Sequence, residues 1–224
     1  MSGNSVETKR LGTSRRTAAL VSGVALLLMA IVAAVANFAV LEGAIVSSDA
    51  AATAANIAGA PTRFRLGATG FLLVALLDVI VAWGLYELFR REQPGLSLLG
   101  GWLRLAYAAI FAVAIAGLFT AARTAPTDAA ATLLQVQRFN DGWTAGLLIF
   151  GGHLIVVGIL AWRSSFVHWI FGLLLLVAGA GYLVDSLAAL VNPSYSLELA
   201  LYTFVGEVLF IFWLLIRGAR LLDY

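Results

Sequence analysis

Residues 67–89 read GATGFLLVALLDVIVAWGLYELF, and the fold turns on this stretch. As an α-helix rising 1.5 Å per residue it runs about 34 Å, enough to cross a bilayer's hydrocarbon core of about 30 Å. A helix on the surface of a soluble domain alternates polar and apolar faces. Here the only charged groups are Asp78, in the middle, and Glu87, near the end.

Five further runs of the same kind lie on either side, at about 17–40, 98–122, 142–162, 168–190 and 198–219. The chain has 224 residues, 62% hydrophobic and 12% charged, against about 25% charged in soluble domains. A water-soluble globular domain is thereby excluded. The expected fold is all-α and polytopic, six transmembrane helices arranged as three antiparallel hairpins in the lipid bilayer. The expected division is an N-terminal tail over 1–16, a membrane domain over 17–219 and a C-terminal tail over 220–224. The first apolar run is too long for a cleaved signal and reads as a permanent span.

Charge sets the expected orientation. Lys9, Arg10, Arg15, Arg16, Arg90, Arg91, Arg163, Arg217 and Arg220 fall on one side, and Arg63, Arg65, Arg123 and Arg138 on the other. The positive-inside rule then puts both termini in the cytoplasm. Trp102, Trp162, Trp169 and Trp213 at inner ends, and Trp143 at an outer one, are expected to form interfacial belts. Basic residues at the ends of apolar runs do not make a phosphate-binding face, so no nucleic-acid partner is expected. With no cysteine and only His153 and His168, thiolate chemistry and a histidine-rich metal site are excluded, and no metal or cofactor is expected.

Two outer connections carry Ala-rich stretches after a capping signal, Asp49-Ala-Ala-Ala-Thr53 and Asp128-Ala-Ala-Ala-Thr132. Each predicts a short surface helix. Downstream, Arg63-Phe64-x-x-Gly67-x-Thr69 matches Arg138-Phe139-x-x-Gly142-x-Thr144, so either Ala-rich coincidence or a parallel internal repeat is at work. In the repeat alignment Asp78 falls on His153 at equal depth, which predicts a carboxylate–imidazole pair.

Asp78, Arg104, His153, Asp185 and Glu207 lie within the predicted spans, away from the basic clusters at their ends. Each Asp or Arg costs at least ~2.5–3.5 kcal/mol at the centre of an isolated helix, so each must face the interior, find a partner or lose its charge. Asp78 with His153 and Glu207 reads as a proton-handling group or as a lock on helix register. Arg104, taken as two turns above an inner helix end, reads as a snorkelling or helix-pairing residue before a substrate clamp. Asp185 either lines an outer cavity or caps a helix or pairs with Arg65 or Arg123. Glu207 lies too deep for surface solvation to account for it, and His168 reads as interfacial. Glycines within spans, among them Gly142, Gly146, Gly151, Gly152, Gly179 and Gly181, read as close helix contacts, not nucleotide loops.

Asp49-Ala-Ala-Ala-Thr-Ala-Ala-Asn56-Ile57 followed by Phe64-Arg65-Leu66-Gly67, Asp78, and Gly181-Tyr182-Leu-Val-Asp185-Ser186 followed by Gly206-Glu207 resemble a family of bacterial six-helix membrane proteins catalogued only as a domain of unknown function. The resemblance covers about 17–219. It implies membership, topology and a bacterial cytoplasmic membrane, and brings no activity with it. Three functions stay open: an acid/base enzyme on a lipophilic substrate such as an isoprenoid, a proton-coupled transporter or binder of a small or lipophilic ligand, and a structural or regulatory partner protein. A homo-oligomer is compatible with each.

Overall fold

The computed structural model describes residues 13–192 and 194–221. Lys9 and Arg10, with the rest of 1–12 and 222–224, lie outside them. Among the described residues the chain is helical, without β-strands. The helices are α1 (Arg15–Ala36), α2 (Ala50–Gly59), α3 (Pro61–Phe89), α4 (Pro94–Thr124), α5 (Ala129–Arg163), α6 (Trp169–Val191), α7 (Leu199–Thr203) and α8 (Val205–Ile216). Six segments are long and apolar enough to cross a membrane: α1, α3, α4, α5, α6 and the combined Leu199–Arg220. The protein is a multi-pass integral membrane protein.

Local chemistry sets the helix ends. Asp49 accepts the Ala52 N–H at 2.9 Å to start α2, and Asp128 accepts the Ala131 N–H at 2.9 Å to start α5. The two matched motifs then diverge. In the first, Pro61 follows Ala60, whose φ of −141° and ψ of 56° are not helical. Proline lacks the N–H that would continue the ladder and disfavours a helical residue before it, so α2 ends and α3 begins. The second motif has no such break, and Asp128 opens one continuous helix of 35 residues. The expected second surface helix is therefore absent as a separate element: its alanines are the first turns of α5.

Other features of the two motifs coincide. Thr53 and Thr132 are both fully buried; Thr53 Oγ1 donates to the Val46 carbonyl at 3.0 Å, and Thr132 Oγ1 to that of Asp128 at 2.7 Å. Phe64 and Phe139 are buried. A Cβ on Gly67 would meet Val40 at 2.7 Å, and one on Gly142 would meet Ala114 at 2.9 Å, so both glycines admit a neighbouring helix.

Packing follows chain order. The helix α1 lies on α3, α3 on α4, α4 on α5 and α5 on α6, while α8 touches both α6 and α1 and closes a ring. The short α2 lies against α5 and the ends of α4 and α3. At the opposite end Arg15 approaches Glu92 at 3.4 Å, and Glu92 also accepts from Ser165 Oγ at 3.0 Å. The start of α1, the α3–α4 turn and the α5–α6 turn therefore meet.

Helices α5 and α6 meet backbone to backbone. A Cβ on Gly151 would lie 2.9 Å from the Gly179 carbonyl oxygen, and one on Gly179 2.8 Å from that of Gly151. Two turns away, a Cβ on Gly158 would lie 3.0 Å from the Gly172 oxygen, and one on Gly172 2.8 Å from that of Gly158. The seven-residue spacing on each helix, with reciprocal partners, makes an antiparallel seam where backbones touch. Association inside lipid gains from such packing because lipid tails are as apolar as the side chains.

Two of the expected belt tryptophans are interior. Trp213 is buried and stacked on Phe210, with ring centres 5.6 Å apart. Trp143 packs with Phe71, Phe111 and Phe139 at 5.4–5.6 Å. Burying a large ring against other rings outweighs its preference for the headgroup region. Trp102, Trp162 and Trp169 remain exposed, as a belt requires.

Candidate functional site

Four of the helices bring one ionisable residue each to a common level. Asp78 precedes the end of α3 at Phe89 by 11 residues; His153 precedes the end of α5 at Arg163 by 10; Arg104 follows the start of α4 at Pro94 by 10; and Glu207 precedes the end of α8 at Ile216 by 9. At 1.5 Å per residue all four stand ~15 Å from the same end of the bundle.

Arg104 is the hub. Its Nη2 lies 2.7 Å from Asp78 Oδ1, with the two side chains 2% and 0% exposed. Its Nη1 lies 3.1 Å from His153 Nε2, and Nη2 also points at Met29 Sδ, 3.9 Å away. The guanidinium carbon sits 5.3 Å over the Phe150 ring, a cation–π contact that strengthens when desolvated. At this distance, with both groups out of solvent, the ion pair joins α3 to α4.

His153 is fixed by its two partners. Its Nδ1 is 2.8 Å from the Gly100 carbonyl oxygen, one turn before Arg104 on α4. A carbonyl only accepts and a guanidinium only donates, so Nδ1 carries the proton and Nε2 accepts from Arg104. The expected Asp78–His153 pair is thus a bridge: the two residues occupy matched positions and meet through Arg104. Of the two readings of Arg104, helix pairing agrees with these contacts and snorkelling is corrected, since the side chain is buried. Helix α4 begins at Pro94, a full turn earlier than the apolar pattern indicates, which places Arg104 too deep to reach headgroups and inside the ring.

Arg104, His153 and Glu207 line one cavity of about 40 Å³, completed by Leu26, Leu85, Leu154, Leu175 and Phe210. Glu207 stands in the first turn of α8, just after Phe204 interrupts the last span. The residue is half-buried, yet its Oε1 is sealed without a hydrogen-bond donor. The Tyr182 hydroxyl comes close to the carboxyl group. Tyr182 packs edge-on against Phe150 at 5.3 Å, and Phe150 packs against Tyr107 at 5.0 Å, so aromatic rings wall the polar centre on one side. Neither tyrosine stands out in the sequence, although Tyr182 lies within the Gly181–Ser186 motif.

Asp185 is elsewhere. It accepts from Tyr195 Oη at 2.5 Å and from the Ala200 N–H at 2.6 Å. It therefore caps α7 from a neighbouring helix, where Glu198, at φ 49°, makes no side-chain cap. Hydrogen bonding to Asp185 pushes the Tyr195 phenol up to about 12 from its ordinary value near 10. A raised phenol stabilises the fold fully below the ordinary value, and that contribution disappears as pH rises through about 12. Absorbance titration of Asp185→Asn is expected to show one tyrosine ionising nearer 10; an unchanged titration would discount the bond. His168 caps α6 at the exposed edge, accepting the Ile170 N–H at 3.3 Å.

A family model described as "Domain of unknown function (DUF4386)" matches residues 21–218. The chain belongs to the DUF4386 family. An "Uncharacterized protein" of Archaeoglobus fulgidus is 35% identical over 161 residues, covering 72% of this chain and 88% of that protein. No solved structure matches. The match takes in the whole Asp78–Arg104–His153–Glu207 level.

Proposed function

We propose that this DUF4386 protein binds and releases one proton at an intramembrane centre, with Glu207 as the exchanging group and α8 as the element that responds. Charge balance carries the reading. The centre holds one permanent cation, Arg104, and two carboxyl groups, of which Asp78 takes the cation at 2.7 Å. Glu207 is the carboxyl in excess, and its Oε1 has no donor. With one cation between two buried carboxyl groups, the one not paired with it is neutralised by a proton because the ion's desolvation cost is large.

The same residue has a reason to ionise when water reaches it. In the first turn of α8, a negative charge meets the positive end of the helix dipole. The interruption at Phe204 leaves α8 able to move apart from α7, as the halves of broken helices do in transporters. Proton loss would then favour a hydrated arrangement of α8, and proton gain the sealed one. This reading places the protein with proton-coupled binders and transporters of small solutes.

Size weighs against the enzymatic alternative in this arrangement. Sites for drug-sized molecules occupy about 300–1,000 Å³, whereas about 40 Å³ suits water and not an isoprenoid. The proposed setting is a bacterial cytoplasmic membrane with both termini inside, a membrane domain over 17–219 and short tails at 1–16 and 220–224.

The test is proton uptake by the purified full chain after a pH jump, followed with an indicator dye. Glu207→Gln is expected to take up about one proton fewer per chain than the unmodified protein across neutral pH. Equal uptake by a folded Glu207→Gln protein would overturn the assignment.

A further inference from the structure

Away from the polar centre, a groove of about 500 Å³ runs between α4 and α5 on the outer wall of the ring. Its floor is small: Ala109, Ala114, Gly117 and Gly142, with Ile110 and Val113 along the side. Gly117 lets α5 approach so closely that a Cβ there would lie 2.8 Å from the Gln135 carbonyl oxygen. From Gly117 to Ala109 the groove follows α4 for ~12 Å at 1.5 Å per residue. Its polar end is formed by Gln135 and Arg138, one turn apart on α5. Arg138 is exposed and makes no ion pair or hydrogen bond among the described residues. Arg123, the nearest basic residue on α4 in sequence, is engaged with Thr120 Oγ1 at 2.8 Å.

The matched position in the other half of the molecule differs. There Arg63 stands one turn before Gly67 and borders a smaller cavity of about 210 Å³, lined by Val40, Asn56 and Phe64 among others.

We infer that this groove holds one acyl chain of an anionic phospholipid, with its phosphate on Arg138 and Gln135. Charge complementarity selects the occupant. Apolar contact inside a bilayer does little to distinguish one lipid from another, because the surrounding tails offer the same contact. An unpaired guanidinium at the mouth discriminates by charge and by its forked donors, which suit phosphate. The groove gives the bound lipid a position; Arg138 gives it an identity.

Native mass spectrometry of the detergent-solubilised full chain, titrated with phosphatidylglycerol and phosphatidylcholine, tests this. The unmodified protein is expected to prefer phosphatidylglycerol roughly fivefold for one bound molecule. Arg138→Gln is expected to abolish that preference, and Arg123→Gln to keep it. Ala109→Phe, which blocks the apolar end from a lipid-facing position, is expected to weaken both lipids without removing the preference. Glycerol phosphate, which has no chains, is expected not to compete. Retention of the preference in Arg138→Gln, its equal loss in Arg123→Gln, no effect of Ala109→Phe on either lipid, or effective competition by glycerol phosphate would each overturn the proposal. None of these outcomes depends on Glu207.

Discussion

Replacing Arg104 with methionine is expected to be the most damaging single substitution in the chain, destabilising it by roughly 3–5 kcal/mol. The arginine's loss strands Asp78, 0% exposed, as an unpaired carboxyl among apolar side chains. It also removes the N–H that His153 Nε2 accepts and the cation over the Phe150 ring. The penalty belongs to the stranded partners more than to the bond itself. Arg104→Met combined with Asp78→Asn should therefore recover more than half of the loss, because a neutral replacement of both partners leaves no buried charge. Reversible unfolding in mixed micelles measures both proteins. A loss below ~1 kcal/mol for Arg104→Met, or a double variant no better than the single one, would mean that the three helices are not held through this residue.

The second large effect belongs to the glycine seam. A Cβ on Gly172 would stand 2.5 Å from the Trp162 backbone nitrogen and 2.8 Å from the Gly158 oxygen. Both obstacles are backbone, so α5 and α6 must separate, and Gly172→Ala is expected to cost about 1–3 kcal/mol. Gly158→Ala meets the same seam from the opposite side, where the neighbours are the Leu176 nitrogen at 2.9 Å and the Gly172 oxygen at 3.0 Å. The two changes should not add, since the first separation makes room for the second methyl. Gly95→Ala, with nothing within 4 Å of the new methyl, should stay within about ±0.5 kcal/mol. Thermal unfolding of the three variants checks the order; equal stability of Gly172→Ala and Gly95→Ala would contradict the seam.

These features differ in how far sequence reveals them. The six spans are legible because in lipid every backbone polar group must be satisfied within the segment, and about 20 apolar residues are then needed. Helix ends are less legible, since hydrogen bonding continues into the headgroup region where polar residues return. The apolar run begins only at about 98, so the first turn of α4 from Pro94 lies outside it, and that one turn separates a residue near the surface from a buried hub at Arg104. Counting from the helix ends on that side finds the level, because Asp78, Arg104 and His153 stand 10 or 11 residues from them and Glu207 stands 9 from the end of α8. Depth along a helix can be read in one dimension; direction around it is weakly marked when every face is apolar. That is why the Asp78–His153 pairing was visible as equal depth while the bridging Arg104 was not. The same limit hid Gly158 and Gly172, whose partners are backbone atoms of another helix. Asp128 was a sound start signal, but whether its helix stops after two turns or runs on for 35 residues was decided by the lack of a proline such as Pro61.

Infrared difference spectroscopy addresses the central claim most directly, because a protonated carboxyl group has a carbonyl stretch distinct from that of a carboxylate. The full chain in lipid, compared between acidic and alkaline buffer, is expected to show a pH-dependent protonated-carboxyl band that is lost in Glu207→Gln and retained in Asp185→Asn. An undiminished band in folded Glu207→Gln would contradict the account.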